Sequence, residues 1–283
     1  NLSRNNEDRL GAHKSADPAP PMTPSGDSFS FATPTEFVDL PTGGKHYPEG
    51  HPLHGKDSVE IRYMTAKDED ILSSTTLLKK GIALDRLIQN VIIDKSIDIN
   101  TLYVGDKNAI LIAARVTGYG EKYSARTPCP KCASSVEFEY DLSSLKIDSG
   151  RDWQDFDIKN HTGDRFIITL PQTMVQAEVR LLTSKDEDYL SQLRENKKKR
   201  NLPESNMTDQ IRMITVSVNG HSDPKSMSAF VEGLPAGDSR YLRNAYEKVV
   251  PNVDMSQEFN CKICGHVQEV AVPLTAGFFW PDR

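Results

Sequence analysis

Four cysteines are the residues whose types and spacing could do chemistry. They come as two pairs, Cys129-Pro-Lys-Cys132 and Cys261-Lys-Ile-Cys264. A C-x-x-C turn presents two thiolates on one side, ready for two corners of a tetrahedron. Two such turns complete a closed four-sulfur site with no open position for a substrate. Cys129, Cys132, Cys261 and Cys264 are therefore the candidate metal ligands, and structural zinc is the ion such a set selects. Reduced structural cysteines and a redox dithiol stay open as other uses, although the βαβ setting of a thioredoxin-like motif is missing. Disulfides are not expected: the opening Asn-Leu-Ser-Arg-Asn-Asn-Glu-Asp has no apolar core of a secretory signal. His266 lies close to Cys264 but reads as a surface histidine, since four ligands are already present.

The elements that must position these sulfurs can be read from their flanks. Ala133-Ser-Ser-Val-Glu-Phe-Glu-Tyr and Gly265-His-Val-Gln-Glu-Val-Ala-Val both alternate polar and apolar, as β-strands do, and Gly265 offers the positive φ such a turn needs. Each half reads as a zinc knuckle followed by a strand. Their separation is unusual. A zinc ribbon spaces its pairs by roughly 15–20 residues, whereas 128 residues lie between Cys132 and Cys261.

An internal repeat accounts for the distance. Residues 59–72 and 177–190 are identical at eight of fourteen positions and share Thr-x-Lys-Asp-Glu-Asp after a Glu-x-Arg strand. Gly105-Asp106 and Gly237-Asp238, each opening a helical run, are 132 residues apart, as are the two cysteine pairs. Leu40-Pro41 likewise answers Leu170-Pro171. The fold expected is α+β: two tandem copies of a helix-rich unit with short strands, over 36–150 and 151–283. Each ends in a C-x-x-C knuckle hairpin, and the two join as a split zinc ribbon. Packing the copies about a pseudo-twofold axis would bring the half-sites together. Helices are expected over 66–80, 82–94, 106–117, 184–197, 206–217, 224–233 and 237–248, with Leu84, Leu87, Ile88 and Val91 as one core stripe.

Residues 1–35 carry Pro18, Pro20, Pro21, Pro24 and Pro34 among small polar residues, and predict an extended or disordered arm that orders only on a partner, through Phe29 and Phe31. Other chemically suggestive groups have plainer readings. Thr65 and Thr183 are N-caps, and Asp68, Glu69, Asp186 and Glu187 fill first helical turns, where the helix dipole favours negative charge. Arg62 and Arg180 would pair with these acids or bind a carbonyl. His46, His51 and His54 read as ordinary loop histidines, although His51-Pro-Leu-His54 has the spacing for a metal. Lys197-Lys198-Lys199-Arg200 reads as a solvated helix end. The terminal Phe278-Phe279-Trp280 must be buried, in its own domain or against another subunit.

Composition sets outer limits. The 283 residues suffice for two domains. Lys+Arg 34 against Asp+Glu 40 gives a net charge of -6, which excludes a broadly basic nucleic-acid binder. No run approaches the ~18 apolar residues of a membrane span. No nucleophile–base pair, phosphate loop or open metal site is legible.

The ordered set now carries a resemblance. It runs from Leu40-Pro-Thr-Gly-Gly-Lys-His-Tyr and Arg62-x-x-Thr65 with Asp68-Glu69, through Gly105-Asp106, Tyr119-Gly120 and Cys129-x-x-Cys132. It closes with Leu234-Pro, Gly237-Asp238, Cys261-x-x-Cys264-Gly and Phe278-Phe-Trp-Pro. Over about residues 36–283 this resembles the baseplate hub and baseplate-assembly proteins of T-even-type contractile-tailed bacteriophages. The resemblance implies a non-enzymatic structural protein of the virion tail baseplate, assembled in the host cytoplasm. Its partners would be other tail and baseplate proteins, in a symmetric multi-copy assembly. Two alternatives remain: an assembly factor that does not stay in the virion, and a zinc-ribbon adaptor contacting nucleic acid or a polymerase through Lys197–Arg200. A hydrolase using the loop histidines and repeated acids is a weaker third.

Overall fold

Two short strands, β1 (Thr35–Asp39) and β2 (Ser58–Arg62), pair antiparallel near the start of the described residues. The computed structural model describes residues 32–151, 153–160, 162–273 and 276–279. Four helices follow: α1 (Ala66–Ser73), α2 (Thr75–Lys79), α3 (Ala83–Val91) and α4 (Val104–Tyr119). The helix expected over 66–80 is two helices. Ser74 turns out of α1 at ψ 106 and then caps α2 by accepting the Leu77 N–H.

A hairpin of β3 (Lys122–Pro128) and β4 (Ser135–Asp141) comes next, then β5 (Lys146–Asp148). Strands β6 (Ile158–Asn160), β7 (Arg165–Thr169) and β8 (Gln176–Arg180) lead into α5 (Ser184–Lys199) and α6 (Asn206–Ile214). Strand β9 (Thr215–Val218) then completes a four-stranded antiparallel sheet in the order β6-β7-β8-β9. A helix had been expected to run through 217. The alternating, largely β-branched Thr-Val-Ser-Val instead leaves the helix at Ile214 and pairs with β8. Helices α7 (Pro224–Gly233) and α8 (Ala236–Val249) precede β10 (Asn252–Asp254), which returns to pair with β5, and a last hairpin of β11 (Ser256–Asn260) and β12 (Val267–Ala271). The architecture is a mixed one of helices and small antiparallel sheets.

One buried cluster runs through all of this, from Leu40, Ile61 and Leu87 to Ile110, Phe166, Val179, Leu242 and Phe278. In α3 the stripe facing it is Leu87, Ile88 and Val91, with Ala83 also buried; Leu84, in the first turn, stays 38% exposed.

The repeated sequence blocks become matching local structures. After β2, Arg62 grips the Asp68 carboxylate through Nη1 at 2.6 Å and Nη2 at 3.0 Å, and Nη1 also donates to the Tyr63 carbonyl. After β8, Arg180 holds Asp186 at 2.7 and 2.8 Å and donates to the Leu181 carbonyl. Both aspartates also accept the backbone N–H and hydroxyl of their N-cap threonines, Thr65 and Thr183. Each acid thus closes a helix start and neutralises an arginine. Glu69 accepts the Tyr119 hydroxyl, and Glu187 meets Lys107, which also binds Asp85 at 2.9 Å.

The Leu-Pro and Gly-Asp blocks meet in space. Asp106, in the first turn of α4, accepts from the Thr42 N–H, the Thr42 hydroxyl and the Tyr47 hydroxyl. Asp238, in the first turn of α8, accepts from the N–H groups of Gln172 and Thr173 and from the Thr173 hydroxyl. Each buried carboxylate therefore fastens the turn that follows Leu40-Pro41 or Leu170-Pro171. Gly105 has a further reason: a Cβ there would stand 2.0 Å from the Pro251 carbonyl oxygen.

Phe278 and Phe279 are both 2% exposed and belong to the main core. They are not a partner-facing patch; Trp280 lies outside the described residues, as do Phe29 and Phe31. The fully buried Arg115 of α4 fixes this end of the chain. It donates to the carbonyls of Phe278 at 2.6 Å, Gly120 at 2.8 Å and Lys122 at 3.1 Å, with its guanidinium over the Tyr119 and Phe278 rings.

Candidate metal centre

The two C-x-x-C turns are the tips of the β3–β4 and β11–β12 hairpins. At the first tip the Cys129 N–H donates to the Ser134 carbonyl and the Ala133 N–H to the Cys129 carbonyl. At the second the Cys261 N–H donates to His266 and the Gly265 N–H to Cys261, so the two tips are built alike. Both need one left-handed residue. Gly265 has φ 67, and its counterpart Ala133 has φ 56 despite its Cβ.

A small separate core packs the hairpins together: Cys129, Val136, Phe259 and Cys261, flanked by Phe138 and Val270. Phe259 is fully buried, edge-on to Phe138 with ring centroids 5.2 Å apart. Gln257 of β11 adds a two-point stitch. Its Oε1 accepts the Asp141 N–H at 3.0 Å, and its Nε2 donates to the Asp141 carbonyl at 2.7 Å. Sequence reading missed Gln257 because it occupies an ordinary polar position of an alternating strand. It also missed Ala133, whose residue type hides its backbone.

The four sulfurs converge. Cys129 Sγ lies 3.7 Å from Cys264 Sγ, and Cys132 Sγ lies 3.9 Å from Cys261 Sγ. All four fall within 4.8 Å of one another, and the cysteines form no disulfide. A regular tetrahedron with bonds of about 2.3 Å has edges of about 3.8 Å, so the two close contacts are compatible with a four-thiolate zinc site. Cys129 and Cys261 form the buried floor; Cys132 and Cys264 are exposed. The Ser134 hydroxyl and amide lower the Cys132 thiol to about 6, and the Cys264 and Ile263 amides lower Cys261. At Cys264 the His266 amide is outweighed by desolvation and by the neighbouring sulfurs, which push its thiol up to about 12. Amides aimed at sulfur, with a crowd of like charges that resists the last ionisation, are what a divalent cation relieves.

The other candidates are occupied elsewhere. His266 Nε2 faces Gln268. His46 Nδ1 meets the Gly163 carbonyl and His54 Nδ1 the Tyr47 carbonyl. His51 accepts the Leu53 N–H at Nδ1, faces the Thr101 hydroxyl with Nε2 and stacks on Tyr47; burial lowers its pKa. These rings pin their loop rather than converge on an ion. Lys197 is tied to Ser205 and Asp209, and Lys199 to Glu195, so half of the basic run is already paired.

In this mixed fold, two hairpins distant in sequence meet at a cluster of four thiols. The chain belongs to the T4 bacteriophage base plate protein family, whose profile matches residues 33–280. No curated protein and no solved structure matches it. It is a T4-type phage baseplate protein, and no helix among the described residues is long and apolar enough to cross a membrane.

Proposed function

We propose that the chain is a non-enzymatic structural component of the baseplate hub region. In this reading it consists of two related units, 36–150 and 151–283, joined as a split zinc ribbon. One zinc ion held by Cys129, Cys132, Cys261 and Cys264 locks the joint, and the chain works in the virion tail in contact with other tail and baseplate proteins, in several symmetric copies, after assembly in the host cytoplasm. The observation that carries the reading is the crosswise approach of Cys129 to Cys264 and Cys132 to Cys261, in a baseplate-family chain. The matching Arg62–Asp68 and Arg180–Asp186 clasps, and the matching roles of Asp106 and Asp238, support two related units. A site assembled only on folding makes metal affinity part of folding free energy, so zinc would hold hairpins together that share only a small apolar core. Quantifying the chain in purified tails tests the role. A fixed, integral copy number per particle is expected. Abundance during assembly with none in mature particles would contradict the reading and favour an assembly factor.

A further inference from the structure

Among the described residues, strand β1 leaves one edge unpaired. The ladder with β2 continues on both sides of it, with the Tyr63 N–H on the Pro34 carbonyl and the Leu40 N–H on the Asp57 carbonyl. Given the register Thr35↔Arg62 to Asp39↔Ser58, the residues bonded to β2 are the even-numbered ones. The N–H and C=O groups of Thr35, Phe37 and Asp39 therefore point away from β2, and among the described residues no backbone bond reaches them. All three residues are exposed, and Phe37 is the most exposed large apolar residue described, at 71%. Beside it, across β2, Ile93 is 42% exposed, and a groove of about 520 Å³ runs between them. Natural sheets protect or pair such an edge.

The sequence carries a segment shaped for it. Ser28-Phe29-Ser30-Phe31 alternates strictly, so as a strand it sets both phenyl rings on one face and both hydroxyls on the other. The tether decides which edge it can reach. Pro34 is already in the ladder with Tyr63, leaving Ala32 and Thr33 to reverse the chain before β1. A two-residue hairpin turn demands positive φ, for which Ala and β-branched Thr are unsuited. Turn chemistry therefore argues against a tight hairpin onto the same chain's β1 and for the β1 edge of another copy.

We propose that the Ser28–Phe31 segment of one copy adds as a strand to the β1 edge of a second copy, setting Phe29 and Phe31 against Phe37 and the groove toward Ile93. The contact is head-to-tail, each copy offering one arm and one edge, so it makes a ring where the rotation between copies closes and an open chain where it does not. This rests on the multi-copy part of the reading above and is independent of the zinc.

The test is complementation between two full-length variants, followed by light scattering during size-exclusion chromatography. Phe29→Ser/Phe31→Ser removes the anchors and leaves the edge; Phe37→Ser removes the receiving side chain and leaves the arm. Burying one phenylalanine is worth about a factor of ten or more in affinity. The wild type is expected to associate with rising concentration. The arm variant alone should associate at least a hundredfold more weakly and the edge variant at least tenfold more weakly. An equimolar mixture should give a 1:1 dimer that grows no further. A wild type that stays monomeric at all concentrations would overturn both this contact and self-assembly of the isolated chain. Association undiminished in both variants would overturn the arm-and-edge contact while leaving a multi-copy protein in place.

Discussion

Replacing Asp68 by asparagine probes the clasp that opens each half of the chain. Its carboxylate is fully buried and accepts from Arg62 twice, from the Thr65 N–H and hydroxyl, and from the Asn90 side-chain amide. Burial alone would raise its pKa, but Arg62, Thr65 and Asn90 together outweigh it and lower the group from 3.8 to about 2. At 1.36 kcal/mol per unit, that depression corresponds to about 2 kcal/mol of stability from the ionised form. The sign follows from the direction. A depressed carboxylate contributes fully above its unfolded pKa and loses its contribution as pH falls through the folded one. Asp68→Asn should therefore cost about 2 kcal/mol at pH 7, somewhat more if Arg62 is left unpaired in its half-buried site. The penalty should shrink between about pH 4 and pH 2. Urea unfolding of wild type and variant at matched pH measures it directly, because loss of the proposed metal at low pH would affect both alike. A cost below about 0.5 kcal/mol at pH 7, or one undiminished at pH 2, would refute the reasoning. Asp186→Asn should behave the same way with a smaller penalty, since Asp186 is part-exposed and lacks an asparagine partner.

Three further outcomes follow from the geometry. Ala133→Gly should stabilise the chain by up to about 1 kcal/mol, because φ 56 strains an L-residue, whereas Gly265→Ala, at φ 67 with free space around it, should cost a similar amount in thermal melts. Cys132→Ser and Cys261→Ser, one from each hairpin, should each abolish stoichiometric zinc binding and the zinc dependence of the melting temperature; zinc retained at full affinity in either would count against a shared site. Arg115→Ala should lower stability by about 3 kcal/mol or more, since three carbonyls lose a buried donor, and a melt unchanged from wild type would show the terminal aromatics are held otherwise.

The clustering of the four cysteines was legible because their spacing is a covalent fact: C-x-x-C fixes two sulfurs on one turn wherever it sits. The clasps were legible for a related reason, since Thr65, Asp68 and Arg62 are close in sequence and their contacts are local. What escaped was set by tertiary context. Thr215–Ser217 follows a helical run, but an open edge of β8 recruits it as a strand. Leu84 fits the helical stripe yet finds no cover at the helix end. The terminal phenylalanines could have faced a partner, and only the fold shows both in the main core, with the Phe278 carbonyl held by Arg115. Gln257 has no sequence signature at all, because its two bonds join a strand to another 116 residues away.

X-ray absorption at the zinc edge of the purified full-length chain tests the central claim most directly. The expected result is one zinc per chain with four sulfur neighbours at about 2.3 Å and no nitrogen or oxygen in the first coordination sphere. Substoichiometric zinc with nitrogen or oxygen ligands, or a chain that binds none while its thiols are reduced, would contradict a shared four-cysteine joint.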